Sequence, residues 1–179
     1  MSVAEYLKSK WAVFTADGSL LHHAQLTGTL PGEKVKILCV TQTPSGYVVC
    51  DYGNRKAFFT DKHGAVRHTS RECYDPRNAV HTTWGHVLIA DHTGDIIRIF
   101  GPEGELLGNL NDVDESIIRP RYLHLDGAEQ FLYVGTGFCD AKEVRTYKFT
   151  GSNLPPLPVK TTERKLRMSV KLVTKFIDR

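Results

Sequence analysis

The sequence predicts an all-β fold, a partial β-propeller of about three and a half four-stranded blades, and three observations carry that expectation. First, Gly46-Tyr-Val-Val-Cys-Asp51 and Gly85-His-Val-Leu-Ile-Ala-Asp91 are two versions of one apolar strand, each ending in Asp and a polar turn. Second, the echo keeps a fixed offset: Asp51 to Asp91 and Gly64 to Gly104 are both 40 residues apart. Third, the surrounding segments are rich in β-branched and aromatic residues and punctuated by Gly, Asp and Asn, with no convincing amphipathic helical period. A period of about 40–45 residues holding four short strands describes one propeller blade, a unit that cannot bury its faces alone.

Taken in order, Trp11-Ala-Val-Phe14-Thr-Ala-Asp17-Gly18-Ser-Leu-Leu21 matches Ile99-Phe100-Gly-Pro-Glu-Gly104-Glu-Leu-Leu107, and so supplies the outer half of a first blade. Val35-Lys-Ile-Leu-Cys-Val40 sits where the first strand of the next blade belongs, followed by Gly46–Asp51 and by Lys56-Ala-Phe-Phe59. Asn78-Ala-Val-His81, Gly85–Asp91 and Ile96-Ile-Arg-Ile-Phe100 repeat that series. Arg121-Tyr-Leu-His-Leu-Asp126, Gln130–Thr136 and Glu143–Phe149 repeat it again, with a longer turn and no obvious fourth strand. An open arc of this kind exposes strand edges that a closed ring hides. Three arrangements answer the problem: the chain is a piece or short isoform of a longer protein, two arcs pair into one ring, or the arc stands by itself.

Residues Gly85-His-Val-Leu-Ile-Ala-Asp91-His-Thr-Gly-Asp95-Ile-Ile-Arg-Ile-Phe100-Gly-Pro-Glu-Gly104-Glu-Leu-Leu107 resemble an NHL-repeat blade, as found at the C-terminus of tripartite-motif (TRIM) proteins. Arg119-Pro120-Arg-Tyr-Leu resembles the start of the following blade in that family. The resemblance covers about residues 10–150 and is sharp in two blades, and no Trp-Asp pair closes a strand as in the WD40 type. It implies a non-enzymatic interaction module that recruits a protein or RNA target for an associated ubiquitin ligase. No RING or B-box Cys/His array is present, so the chain is not itself the ligase. A second class resembles NHL rings too: calcium-dependent lactonases and the zinc-dependent amidating lyase, whose Asp, Asn or His ligands converge on the axis.

Composition is that of an ordinary globular chain, 41% hydrophobic and 24% charged. Nothing approaches the ~18 consecutive apolar residues of a membrane span, and residues 1–10 have no apolar core of signal-peptide length. Cys39, Cys50, Cys73 and Cys139 are widely spaced, and the first two lie in apolar strands, where free Cys behaves as a small hydrophobe. The expected setting is cytoplasmic, with reduced thiols. The net charge of +3 hides an asymmetry: residues 1–153 hold 16 Lys and Arg against 18 Asp and Glu, while residues 154–179 hold 7 against 2. Residues 1–153 are therefore read as the partial propeller. Residues 154–179 are read as a connector, Leu154-Pro-Pro-Leu-Pro158, followed by a basic tail. The tail alternates Leu166, Met168, Val170 and Leu172 with Lys165, Arg167 and Lys171, a pattern suited to a closing strand, and it also admits a helical face. An anionic-partner arm or a nuclear address is the functional alternative for the tail.

Catalytic signatures are absent: there is no Gly-x-Ser-x-Gly, no phosphate loop and no His-Glu-x-x-His. The eight His residues are dispersed, with His81 and His124 on expected inner strands. Asp91-His-Thr93-Gly-Asp95 lacks the closing Glu of an EF-hand, and Asp91 is expected to cap its own turn. No cofactor, no resident metal and no membrane contact are expected. The candidate surface comes from topology, because loops joining second to third strands and successive blades share one face of a propeller. They contribute Tyr52, Arg55, Arg71, Tyr74, Arg77, His92, Arg119, Arg121 and Phe138. Arg beside aromatic residues suits a protein hot spot and also single-stranded RNA. Asp112, Asp114 and Glu115 on the same face weigh against RNA. A protein is thus the expected partner, RNA the second class, and self-association follows from the open edges. The plainer reading is an ordinary solvated loop surface.

Overall fold

Among the residues that the computed structural model describes, every helix-or-strand element is a strand. Those residues are 2–5 (backbone), 9–110, 117–137, 143–148 and 154–155. Phe138, Cys139, the acidic run at 112–115 and the tail from 156 onward lie outside them. Among the described residues, fourteen strands form four antiparallel sheets. The first holds β1 (Ser2–Glu5), β2 (Lys10–Phe14) and β3 (Leu20–Gln25). The second holds β4 (Ile37–Thr43), β5 (Gly46–Asp51), β6 (Lys56–Asp61) and β7 (Val66–Ser70). The third holds β8 (Pro76–His81), β9 (Val87–Asp91), β10 (Ile96–Phe100) and β11 (Leu106–Leu110). The fourth holds β12 (Pro120–Leu125), β13 (Phe131–Thr136) and β14 (Glu143–Lys148). The expected three and a half blades are present as 3, 4, 4 and 3 strands, because β1 adds to the outer half foreseen for the first.

Period-two alternation explains how the sheets pack. In β5, Tyr47 and Val49 enter a core with Trp11, Val13 and Ala24 of the first sheet. Their neighbours Val48 and Cys50 enter a second core with Val87, Ile89 and Phe100 of the third sheet. In β9, Leu88 and Ala90 turn the other way, toward Leu123, Leu132, Val134 and Tyr147 of the fourth sheet. Both middle strands are therefore buried along their whole length, which is why they read as continuous apolar runs. Fully burying each such aliphatic or aromatic side chain is worth about 1.5–3 kcal/mol, so these two strands dominate cohesion between sheets. In the fourth sheet, Leu132 and Val134 are buried while Phe131 is exposed and Tyr133 half-buried, the alternation of a sheet covered on one side.

The repeat extends to irregularities. The pairing slips at Val13/Phe14, Phe59/Thr60 and Ile99/Phe100, the same place in three blades. It slips again at Ile37/Cys39, Pro76/Asn78 and Pro120/Tyr122, next to the start of each inner strand. Bulges raise local twist, and their recurrence sets each blade at a similar angle to the last. The inner strands β4, β8 and β12 lie side by side in chain order. Side chains stitch them together: the Thr41 hydroxyl donates to the Ala79 carbonyl at 2.6 Å, and the Leu123 N–H donates to Asn78 Oδ1 at 3.0 Å.

Candidate interaction face

Two kinds of connection meet on one face, and buried carboxylates at the ends of β5 and β9 hold them together. Asp51 accepts from the Lys36 N–H (2.9 Å) ahead of β4 and from Gly53 and Asn54 in its own turn. Asp91 accepts from the N–H groups of Tyr74 (2.9 Å) and Asp75 (2.8 Å) in the β7–β8 crossover, and from Arg98 Nε (2.8 Å). Capping of its own turn was the expectation for Asp91. Its carboxylate instead ties the preceding crossover to β10, accepting from the Tyr74 and Asp75 N–H groups and from Arg98. The turns after β5 and β9 end in left-handed residues, Arg55 at φ 57° and Asp95 at φ 50°. In the second of these, Asp95 accepts from the Arg119 N–H at 2.8 Å, joining the third blade to the fourth.

Above this frame, cations and rings alternate. The Arg77 guanidinium lies 5.4 Å from the Tyr52 ring centroid and the Lys36 ammonium 5.9 Å from it. Arg98 lies 5.6 Å from the ring of Tyr74, whose exposure of 59% makes it the most accessible aromatic of this patch. Two of the cations are neutralised from below: Arg77 pairs with Asp75 at 2.7 Å and Arg98 with Asp91 at 2.8 Å. His92 is buried, with Nδ1 3.3 Å from Asp75, and Thr93 donates to the same carboxylate at 3.2 Å. A hydrogen bond from Lys56, opposed by burial, holds the Glu33 carboxyl below its ordinary range, and the Leu30 N–H and the charges of Lys56 and Arg71 reinforce it.

Tyr52, Tyr74, Arg77 and His92 thus converge around Asp75 and Asp91. Arg55, Arg71 and Arg119 are exposed on the surrounding loops. Arg77 and Arg121 lie not in loops but at the starts of the inner strands β8 and β12, because those strands begin at Pro76 and Pro120. Arg121 stacks 5.7 Å from the ring of Tyr122. Phe138 lies outside the described residues. Lys36, Asp75 and Arg98 belong to the patch and escaped the sequence reading. A signal existed for Arg98 alone, the one charge inside the apolar run Ile96–Phe100.

The described residues hold no group of three or more His, Cys, Asp or Glu placed to bind a metal ion. Nor do they form a helix long and apolar enough to cross a membrane. What fold and face define is a partial β-propeller carrying a cation–aromatic surface on the side of its crossovers. Solved structures share that fold. The hydrazine synthase of Kuenenia stuttgartiensis is similar with a TM-score of 0.59 and 11% identity, over 78% of this chain and 40% of that one. Virginiamycin B lyase from Staphylococcus aureus is similar at 0.54 and 14% identity, over 85% and 50%. A protein of unknown function from Bacteroides caccae is similar at 0.51 and 15%, over 80% and 52%. The chain therefore spans about half or less of the structures it resembles, and identities this low speak for the fold alone. No family model and no curated protein matches it in sequence.

Proposed function

We propose that this chain is a non-enzymatic interaction module of NHL type, binding a protein partner through the Tyr52–Tyr74–Arg77 face and serving as substrate receptor for a ubiquitin ligase. The observation that carries the reading is the internal neutralisation of Arg77 and Arg98 by Asp75 and Asp91. An RNA surface depends on cations free to replace phosphate counterions. Here the charges of the two central arginines are already compensated, and what faces outward is the exposed ring of Tyr74 with Arg98 beside it, next to the Arg77–Tyr52 contact. Aromatic and Arg side chains held rigid in this way are the usual anchors of protein hot spots.

The test compares the parent chain with the Tyr52→Ala/Tyr74→Ala variant as baits in cell lysate, with and without nuclease. Loss of a hot-spot ring costs about 2 kcal/mol, roughly 30-fold in affinity, so partners held by this face are lost from the variant and unaffected by nuclease. Identical protein sets on both baits, or capture abolished by nuclease, would overturn the reading. A second reading is an enzyme with a metal at the propeller axis, favoured by likeness to a propeller-like lyase and a synthase. Elemental analysis separates the two: the module retains no stoichiometric zinc or calcium after dialysis, and one ion per chain would establish the enzyme as the better account.

A further inference from the structure

Three cysteines surround the core between the second and third sheets, and they are not alike. Cys50 and Cys73 are buried, while Cys39 packs at the rim of the same cluster and is half-buried. Cys39 on β4 and Cys50 on β5 are direct pairing partners. Residues opposite one another in an antiparallel ladder have Cα atoms about 4.5–5.5 Å apart, inside the roughly 4.4–6.8 Å that a disulfide spans. The pair is therefore placed to bond with little movement of the backbone.

We propose that Cys39 and Cys50 form a hydroperoxide-responsive thiol pair, Cys39 the attacking sulfur and Cys50 the resolving one, which closes a disulfide between β4 and β5. Donors converge on Cys39. The Asn78 amide reaches its sulfur at 3.5 Å, and that amide is oriented by its carbonyl oxygen, which accepts from Leu123. Thr41 Oγ1 also lies 3.5 Å away, but its single proton is engaged by the Ala79 carbonyl at 2.6 Å. The hydrogen bond from the Cys50 thiol above all, with those of the Ala79 N–H and Asn78, opposes burial and lowers the Cys39 thiol from its ordinary range. Cys73, by contrast, is pushed up to about 12 by burial first and by the charge of Asp91. One interface thus shifts two thiols in opposite directions, Cys39 toward the thiolate and Cys73 away from it.

The chemistry balances. The Cys39 thiolate attacks the distal oxygen of a hydroperoxide, the O–O bond breaks, and protonation releases water or an alcohol, leaving Cys39 as sulfenic acid. Cys50 is held protonated first by its bond to the Cys39 sulfur, then by burial. Oxidation removes the Cys39 charge, and with it the largest of those causes. The Cys50 sulfur then attacks the sulfenic sulfur, the S–O bond breaks, and hydroxide leaves with the Cys50 proton as water. Two thiols are oxidised by two electrons and one peroxide is reduced.

The test uses the full reduced chain, with hydrogen peroxide as oxidant and peptide mapping to separate Cys139 from the other three. Mild peroxide is expected to yield a peptide joining Cys39 to Cys50. In Cys50→Ser, Cys39 accumulates as a sulfenic acid trapped by dimedone, with no such disulfide. A third measurement needs no variant: in the folded parent at pH 7, pulse alkylation labels Cys39 faster than Cys50 and Cys73 by about tenfold or more. Equal labelling of Cys39 and Cys73 overturns the proposal, as does peroxide that leaves Cys39 and Cys50 unlinked or joins Cys39 to Cys139.

Discussion

Asp51 and Asp91 stand 40 residues apart at the same point of successive blades, yet their carboxylates meet different demands. Asp51 accepts from three backbone N–H groups and from the Asn54 amide at 2.6 Å, all neutral donors. Asp91 carries a guanidinium as well, and Arg98 is only 11% exposed. Asp51→Asn keeps one carbonyl oxygen for the backbone and is expected to cost about 1 kcal/mol. Asp91→Asn leaves a largely buried arginine without its counter-charge, and is expected to cost about 3 kcal/mol or more. Denaturant midpoints of the two variants measure the difference. Equal shifts would show that the ion pair adds nothing beyond the backbone bonds, and that the arginines of the face are held by stacking instead.

At the scale of elements, the turn between third and fourth strands recurs as Thr15–Gly18, Asp61–Gly64 and Gly101–Gly104, each closed by an N–H from the glycine. Gly18 and Gly64 share the left-handed backbone, at φ 87° and 93°. Their surroundings differ. A β-carbon on Gly18 would meet nothing within 4 Å, whereas one on Gly64 would lie 2.1 Å from the Gln25 carbonyl oxygen. Thr27, just beyond Gln25, exchanges hydrogen bonds with Gly64 and Val66, so this turn is where the first sheet docks on the second. Gly18→Ala should therefore cost about 1 kcal/mol of backbone strain. Gly64→Ala should cost at least about 2 kcal/mol more and speed exchange of the Thr27 and Val66 amides. Equal costs would mean that the first sheet yields without resistance.

At the scale of the whole molecule, the fourth sheet buries Leu132, Val134 and Tyr147 against the third and turns its other face outward. That face shows Tyr122 (55% exposed), Phe131 (38%) and Val144 (66%), with the His124 ring tilted against Tyr133. Among the described residues β14 pairs with β13 alone. An apolar face and a strand edge together favour association. The chain expressed by itself is expected to self-associate at micromolar concentration, and Tyr122→Lys/Val144→Lys to shift it toward monomer. Sedimentation equilibrium reads both. A parent that sediments as a monomer and unfolds cooperatively would show that the arc is complete in its own right.

The sequence by itself determined the architecture: alternation chose strands, the offset of 40 chose blades, and the doubly apolar runs of β5 and β9 marked the strands buried on both faces. Each of these is local, since a strand's pattern records which of its faces are covered. The face was legible in part for the same reason, because topology alone assigns turns to one side and so gathered Tyr52, Tyr74, Arg77 and His92. Tertiary structure decided which partners those residues have. Asp75 turns to neutralise Arg77 two residues on, Asp91 reaches back 17 residues to Tyr74, and Cys39 collects donors from Asn78 and Ala79 of the next blade, and a strand's own alternation specifies none of these pairings. Periodicity fixes the direction of a side chain within its own sheet, and carries no record of what the neighbouring sheet sets against it.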